Sequence, residues 1–360
     1  MITPIILSGG NGTRLWPMSR TSKPKQFISF INNDSMFTQT VKRFSDKNVF
    51  NDVIILGNIK HEKLIDEELK LNNLKNSKVI LEPNARNTAP AICSAVEYLY
   101  HNSPNKDDIV IFLPSDAYID NCKIFENYLL EGVKEAEKDK VVCFGIQPLY
   151  PEIGYGYIEL SKKIENNTYF VEAFKEKPNF ELAQEFLKKG NYLWNAGIFM
   201  AKISVLHNLF LKYKEDLLKN IDLTIEKSPE KNNKIYLDKE LFNKSEDISI
   251  DYAIIEHLNS TNLATVAMNL TWSDLGSYKA LYDIDQNKNS DDNIVKGKAV
   301  VYNSKNCYIK SNHKVVCCAD VDDLVVVEED DIILIMKKEK SQNVKKIIEK
   351  IKEENLKELL

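Results

Sequence analysis

The chain has 360 residues, 43% hydrophobic and 28% charged, with a formal net charge of −5. That length suits one large α/β domain with an appendage, or two domains, and can bury a core without disulfide or metal staples. The acidic balance argues against broad nucleic-acid binding, which usually needs a basic face, but not against a local Lys/Arg cluster around a phosphate.

Residues 4–8 form a short apolar run that ends in a glycine turn. The run is too short for a secretory core and has no basic lead-in, and no stretch approaches a transmembrane span, so a soluble cytoplasmic protein is expected. Residues 53–56, 79–81, 109–113 and 141–145 are β-branched or apolar runs of strand length. Between them, 89–100 and 124–137 read as helices. Strands alternating with helices imply an α/β fold, a Rossmann-like, mixed but mostly parallel sheet covered on both faces, whose ligands sit beyond the carboxyl ends of the strands. Residues 203–250 look helical and polar, with a surface loop at 228–234. Residues 285–293 lose apolar periodicity and read as a linker. The runs 299–302, 315–318, 324–327 and 332–335 then suggest a small β module. Finally, Val344, Ile347, Ile348 and Ile351 recur at helical spacing among lysines and glutamates, the pattern of a solvated docking helix. The expected domains are 1–284, a linker at 285–293, and 294–360. The β module and its helix would either form a homodimer interface or cover the catalytic domain.

The six cysteines show no C-x-x-C spacing and read as reduced thiols, with Cys317 and Cys318 on opposite faces of a strand. The five histidines form no close cluster in sequence, so no zinc site is expected.

The first strand runs into Gly9-Gly10-Asn11-Gly12-Thr13-Arg14. Three glycines in four residues let backbone N–H groups face an anion, and Arg14, Lys23 and Lys25 add positive charge for a triphosphate. From the glycines alone, a ligand-free turn is equally good. A dinucleotide fingerprint fails because Leu15 stands where its third glycine belongs, and a Walker loop fails because Gly12 is followed by Thr13-Arg14.

Asp116 lies just past the strand at 109–113, placed for a ligand or for a helix N-cap. A second carboxylate, Asp274, lies in Trp272-Ser273-Asp274-Leu275-Gly276. Two hard oxygen ligands suit Mg²⁺ on phosphate, but the sequence alone does not bring them together. Residues 82–90, EPNARNTAP, open a helix and supply Arg and Asn for a nucleotide, or simply a capped helix start. Residues 154–158 read as a glycine-punctuated hairpin, 174–178 as a strand ending in charge, and 194–199 as a loop into a strand.

The string from Gly9 to Phe27, GGNGTRLWPMSRTSKPKQF, resembles the signature of sugar-nucleotide pyrophosphorylases, and its Lys-Pro-Lys-Gln-Phe ending resembles the mannose-1-phosphate guanylyltransferase branch. The similarity runs from Ile2 to about Lys350. It implies a nucleotidyltransferase domain followed by a β-helix-like module and a terminal helix. It implies transfer of GMP from GTP to α-D-mannose 1-phosphate, giving GDP-mannose and pyrophosphate, with Mg²⁺ on Asp116 and Asp274. Arg14 and Lys25 would be catalytic. Leu7, Gly9, Gly10, Gly12, Thr13, Glu82, Arg86, Asn87, Thr88 and Ser115 would bind nucleotide. Gly156, Glu176, Lys177, Asn195, Gly197 and Asp251 would bind the sugar phosphate, with Lys177 on its phosphate. The chain departs from the family pattern at Ala117 (usually His), Ile153 (commonly Thr) and Tyr278 (commonly Trp). No His-rich isomerase cupin pattern follows, so a monofunctional enzyme is expected. The alternatives are the same reaction on another sugar phosphate or nucleotide, and an inactive sugar-nucleotide sensor.

Overall fold

The computed structural model describes residues 1–10 and 12–360, apart from the side chain of Lys357; Asn11 of the glycine loop lies outside the described residues. Two compact units are present. The first comprises Met1–Gly9, Thr40–Ser115 and Ile119–Trp272; the second comprises Gly10–Gln39, Asp116–Tyr118 and Ser273–Leu360.

The first unit is built on one eleven-stranded mixed sheet. Its strands are β1 Ile2–Ser8, β2 Ile54–Asn58, β3 Lys78–Glu82, β4 Ile109–Pro114, β5 Val141–Ile146, β6 Tyr157–Glu165, β7 Thr168–Lys175, β8 Tyr192–Lys202, β9 Glu230–Lys231, β10 Lys234–Tyr236 and β11 Leu263–Met268. The order is β9-β10-β3-β2-β1-β4-β8-β5-β11-β7-β6. From β10 to β4 neighbouring strands are parallel, with Ile5 opposite both Ile54 and Phe112. These strands are continuous runs of Ile, Val, Leu and Phe because both faces are covered, and Ile5, Ile6, Ile55, Ile80 and Ile111 are fully buried. The parallel direction puts the carboxyl ends of β1, β2, β3 and β4 on one edge.

Helix Thr88–Asn102 starts at Asn87, whose side chain accepts from Thr88 N, and helix Cys122–Ala136 starts at Asn121, whose side chain accepts from Lys123 N and Ile124 N. Each cap contributes about 1 kcal/mol. The antiparallel part of the sheet was less visible in sequence. β6 and β7 form a hairpin with one solvated face, and the expected loop at 194–199 is the middle of the long strand β8. Part of the expected surface loop at 228–234 pairs as the edge strands β9 and β10.

The second unit stacks β12 Ile294–Lys296, β13 Ala299–Tyr302, β14 Tyr308–Ser311, β15 Val316–Ala319, β16 Leu324–Glu328 and β17 Ile333–Lys337. Ile294, Tyr308 and Val325 lie side by side across the parallel strands β12, β14 and β16, and β13 pairs in parallel with β15. Successive turns of chain returning to the same parallel register make a β-helix-like module, and β17 closes it antiparallel. Gly297 sits at φ +95°, where an added Cβ would fall 1.9 Å from the Ser311 carbonyl oxygen, so the coil closes only with glycine there.

The core of this unit joins Leu15, Trp16 and Met18 to Leu275, Tyr278, Leu281, Tyr308, Val325, Val344 and Ile351. Of the helical stripe read near the C-terminus, Val344 and Ile351 are buried in helix Val344–Glu353 while Ile347 is exposed. The segment read as a linker is tied into the unit: Asp285 is buried and pairs with Lys296 at 2.6 Å, and Asn293 donates to the Ser304 carbonyl at 2.7 Å. No helix among the described residues is long and apolar enough to cross a membrane.

Candidate active site

In the second unit the glycine loop, Asp116 and Asp274 meet. Gly12 adopts the left-handed conformation, φ 52° and ψ 35°, and leads into the turn Thr13–Leu15. A Cβ on Gly12 would lie 2.5 Å from the Lys25 Cβ and 2.9 Å from its backbone nitrogen, so both strain and space demand glycine. Ser19 Oγ donates to the Gly12 carbonyl at 2.6 Å and Gln26 Nε2 to the Gly10 carbonyl at 3.0 Å. These bonds turn the Gly10 and Gly12 carbonyls towards Gln26 and Ser19. Tyr278 Oη reaches the carbonyls of Leu15 and Trp16 at 2.9 and 3.0 Å, which shows what the tyrosine does at this family-variant position: it braces the base of the loop.

Lys25 is 5% exposed. Its Nζ lies 2.9 Å from Asp116 Oδ2 and also donates to the Asp274 carbonyl. Arg14, on the solvent side, has Nη1 3.7 Å from Asp274 Oδ2. Asp274 is itself oriented, because Gly276 N donates to its Oδ1 at 3.0 Å, and a Cβ on Gly276 would lie 2.5 Å from Oδ2. Gly12, Thr13, Arg14, Lys25, Asp116, Asp274, Leu275, Gly276 and Lys345 line one cavity of about 410 Å³. Sequence reasoning placed Lys345 on a solvated helix. Its spacing beside Val344 was legible, but nothing in the sequence linked that helix to the glycine loop.

The donor set fits a divalent cation. Two hard carboxylate oxygens from separate segments face one cavity, and an ammonium already lies against one of them and beside the carbonyl of the other.

In the first unit, two further groups assemble. At the carboxyl edge of the parallel strands, Ser115 N donates to the Leu7 carbonyl at 2.9 Å, extending the ladder between β1 and β4. Gly9 approaches Glu82 so closely that a Cβ would lie 3.0 Å from its Oε2. Glu82 is buried, its Oε1 has no hydrogen-bond partner among the described residues, and burial pushes its carboxyl up to about 8. Arg86 Nη2 donates to the Asn243 carbonyl at 2.7 Å, Asn87 caps the helix, and Thr88 Oγ1 accepts from Ile250 N at 2.8 Å. In this state Asn87 and Thr88 build the helix start, as the plainer reading of 82–90 had it.

The other group gathers at Gly156. Asn195 N donates to the Gly156 carbonyl at 2.8 Å, and a Cβ on Gly156 would lie 2.6 Å from Glu176 Oε2 and 2.9 Å from Phe174 Cζ. Asn195 Nδ2 donates to Asp251 Oδ1 at 3.2 Å, and Gly197 N donates to Asn195 Oδ1 at 3.2 Å. Lys177 Nζ pairs with Glu176 Oε1 at 2.8 Å. Burial, then the Glu176 charge, pushes the Asp251 carboxyl up to about 7. Asn195, Lys177 and two close carboxyls are a donor and acceptor set for a polyol phosphate. All six residues expected to hold the sugar phosphate lie in this neighbourhood.

The nucleotidyl transferase family model matches residues 3–291, and a mannoseP isomerase/GMP-like β-helix domain model matches 297–351. A mannose-1-phosphate guanylyltransferase of Salmonella montevideo is 38% identical over 362 residues, covering 99% of this chain and 75% of that protein. One of Escherichia coli is 34% identical over 352 residues, covering 97% of this chain and 75% of that protein. The crystal structure of a mannose-1-phosphate geranyltransferase from Thermus thermophilus superposes with a TM-score of 0.85 at 24% identity, covering 98% of this chain and 99% of that one, and shares the fold. Enzymes of this kind generally use a divalent metal. The chain belongs to the nucleotidyl transferase family, on the branch whose curated members include the mannose-1-phosphate guanylyltransferases.

Proposed function

We propose that this chain transfers GMP from GTP to α-D-mannose 1-phosphate, giving GDP-mannose and pyrophosphate. The observation that carries this reading is the convergence of Asp116, Asp274, Lys25 and Arg14 on one cavity beside the Gly12 turn. The names of relatives 34–38% identical over nearly the whole chain supply the substrates.

The nucleophile is a phosphate oxygen of the sugar phosphate, already ionised at neutral pH, so the site needs no Ser-His pair. That oxygen bonds to the α-phosphorus of GTP as the bond to the bridging oxygen breaks, and pyrophosphate leaves with the electron pair. The work of the protein is therefore placement and charge balance. Asp116 and Asp274 would hold the divalent cation, Mg²⁺ in this reading, which supplies Lewis-acid neutralisation of phosphate oxygens. Arg14, Lys25 and Lys345 balance the triphosphate, and the backbone around Gly9, Gly10, Gly12 and Thr13 lies against it. Leu7 and Ser115 support the nucleotide edge with Arg86, Asn87 and Thr88. Oε1 of Glu82, without a partner among the described residues, takes a donor from the guanine or ribose. Gly156, Glu176, Asn195, Gly197 and Asp251 read the sugar hydroxyls, and Lys177 holds the incoming phosphate. The reading puts the reaction in the cytoplasm. A homodimer would use the apolar side chains exposed on the β module, Val300, Tyr302, Ile333 and Ile335.

A panel of sugar 1-phosphates and nucleoside triphosphates, assayed by pyrophosphate release with Mg²⁺, tests the reading. The expected result is highest kcat/KM for mannose 1-phosphate with GTP. Preference for another pair would reassign the substrates, and tight GDP-mannose binding without turnover would make the chain a sensor.

A further inference from the structure

Three helices of the first unit meet at a cluster that the reaction above does not use. Helix Thr88–Asn102 carries Glu97 and His101 four residues apart, hence on one face. Helix Glu215–Lys227 brings Asp222 to them, and helix Ile203–Tyr213 brings His207. His101 Nε2 lies 2.6 Å from Asp222 Oδ1, and His207 Nδ1 lies 2.8 Å from Glu97 Oε1. One ligand atom each from Glu97, His101 and Asp222 falls within 4.8 Å of the other two.

The cluster is rigid on its inner side and adjustable on its outer side. His207 stacks on Tyr100 with centroids 3.7 Å apart and planes 2° from parallel, and Glu97 is 1% exposed. The His101 and Asp222 side chains are half exposed. Burial, and more weakly the charge of Asp222, raises the Glu97 carboxyl above its usual range, against the opposing pull of His207. Among the described residues neither carboxylate pairs with a Lys or Arg. The two acids therefore meet with only imidazoles between them, a set of ligand atoms that a cation can draw together.

We infer that Glu97, His101 and Asp222 form a binding site for a divalent transition-metal ion of the Zn²⁺ class, with His207 positioning Glu97. Imidazole with two carboxylates suits Zn²⁺ and disfavours Mg²⁺, which prefers an all-oxygen octahedron. Tetrahedral ligands at about 2.0 Å from zinc stand about 3.3 Å apart. Reaching that spacing needs movements of an ångström or so, which the exposed side chains of His101 and Asp222 can make. The fourth position falls to water. The His207 ring, hydrogen-bonded to Glu97, fixes the direction of that carboxylate, as partners of metal ligands commonly do. Such an ion would tie helix Thr88–Asn102 to helix Glu215–Lys227.

The test uses the full-length chain carrying Asp116→Asn and Asp274→Asn, so that the phosphate-end carboxylates do not compete. Zn²⁺ binding is followed by calorimetry, and Co²⁺ binding by visible absorption. We expect one equivalent of Zn²⁺, intense four-coordinate Co²⁺ bands, and no displacement by millimolar Mg²⁺. His101→Ala and Asp222→Asn should each weaken Zn²⁺ at least about tenfold and abolish the bands, and His207→Ala should weaken it about tenfold. Both side chains are half exposed, so these substitutions are expected to leave the fold intact, and retained circular dichroism checks this. Unchanged Zn²⁺ affinity in His101→Ala, absent Co²⁺ bands, or full displacement by Mg²⁺ would overturn the site.

Discussion

The cavity beside the Gly12 turn and the group around Gly156 use charge in opposite ways. At the first, Arg14 and Asp274 are partly solvated, and the buried cation Lys25 is matched by Asp116 and a carbonyl. Around Gly156, two carboxyls and an amide crowd together, and Asp251 holds its proton to about pH 7. Solvated, balanced charge suits a polyphosphate that brings its own cation and leaves as another anion. Crowded, partly protonated carboxyls suit hydroxyl groups, whose positions they report by hydrogen bonding. In the proposed reading, reactivity and selectivity thus fall to groups of different physical character.

The sharpest way to break that contrast is Asp274→Ala, expected to lower kcat by about 10³-fold or more in Mg²⁺. Near-normal pyrophosphate release would remove the metal role and with it the contrast. Lys177→Ala should raise KM for the sugar phosphate by about 10- to 100-fold while the KM for GTP stays put; equal loss for both substrates would move that lysine to the triphosphate. Lys345→Ala should lower kcat/KM for GTP by about 3- to 10-fold, a modest effect because the cavity is open to solvent. No change would return Lys345 to the plain surface.

The smallest effect concerns pH. Burial, then Glu176, raises the Asp251 carboxyl from 3.8 to about 7 in the folded state. The folded state therefore holds this proton more tightly than the unfolded chain does. That contribution to stability is complete below about pH 4 and is lost as pH rises through 7. Asp251→Asn has no proton to lose, so its Tm should gain on the unsubstituted protein by about 3 °C between pH 5 and pH 8. A Tm difference independent of pH would show that Asp251 is not crowded by Glu176.

The parallel half of the large sheet was legible because buried strands repeat one kind of residue, as in 109–113. Its antiparallel half was not, because β6 carries no continuous buried run and exposes the neighbouring Lys162 and Lys163. The glycine string marked a turn that lines a cavity, since few residues fit its backbone; Gly12 is wedged against Lys25. Lys345 escaped notice because its neighbours in space lie about 70 to 330 residues away in sequence. His101 and His207 escaped for the same reason: their separation in sequence conceals an approach that helix packing alone creates. Residues 82–90 carried a cap and a candidate nucleotide contact at once, and the cap was the part that geometry could display.

Leu15 and Trp16 have as core companions Leu275, Tyr278 and Tyr308, made some 260 to 290 residues later. A ribosome releases Arg14 and Lys25 long before anything exists to hold them. Any product that stops before residue 273 lacks Asp274 and the companions that fix the glycine loop, whatever it retains of the large sheet. If the proposed roles hold, catalytic competence arrives late in synthesis, and premature termination yields idle protein and not a partly active one.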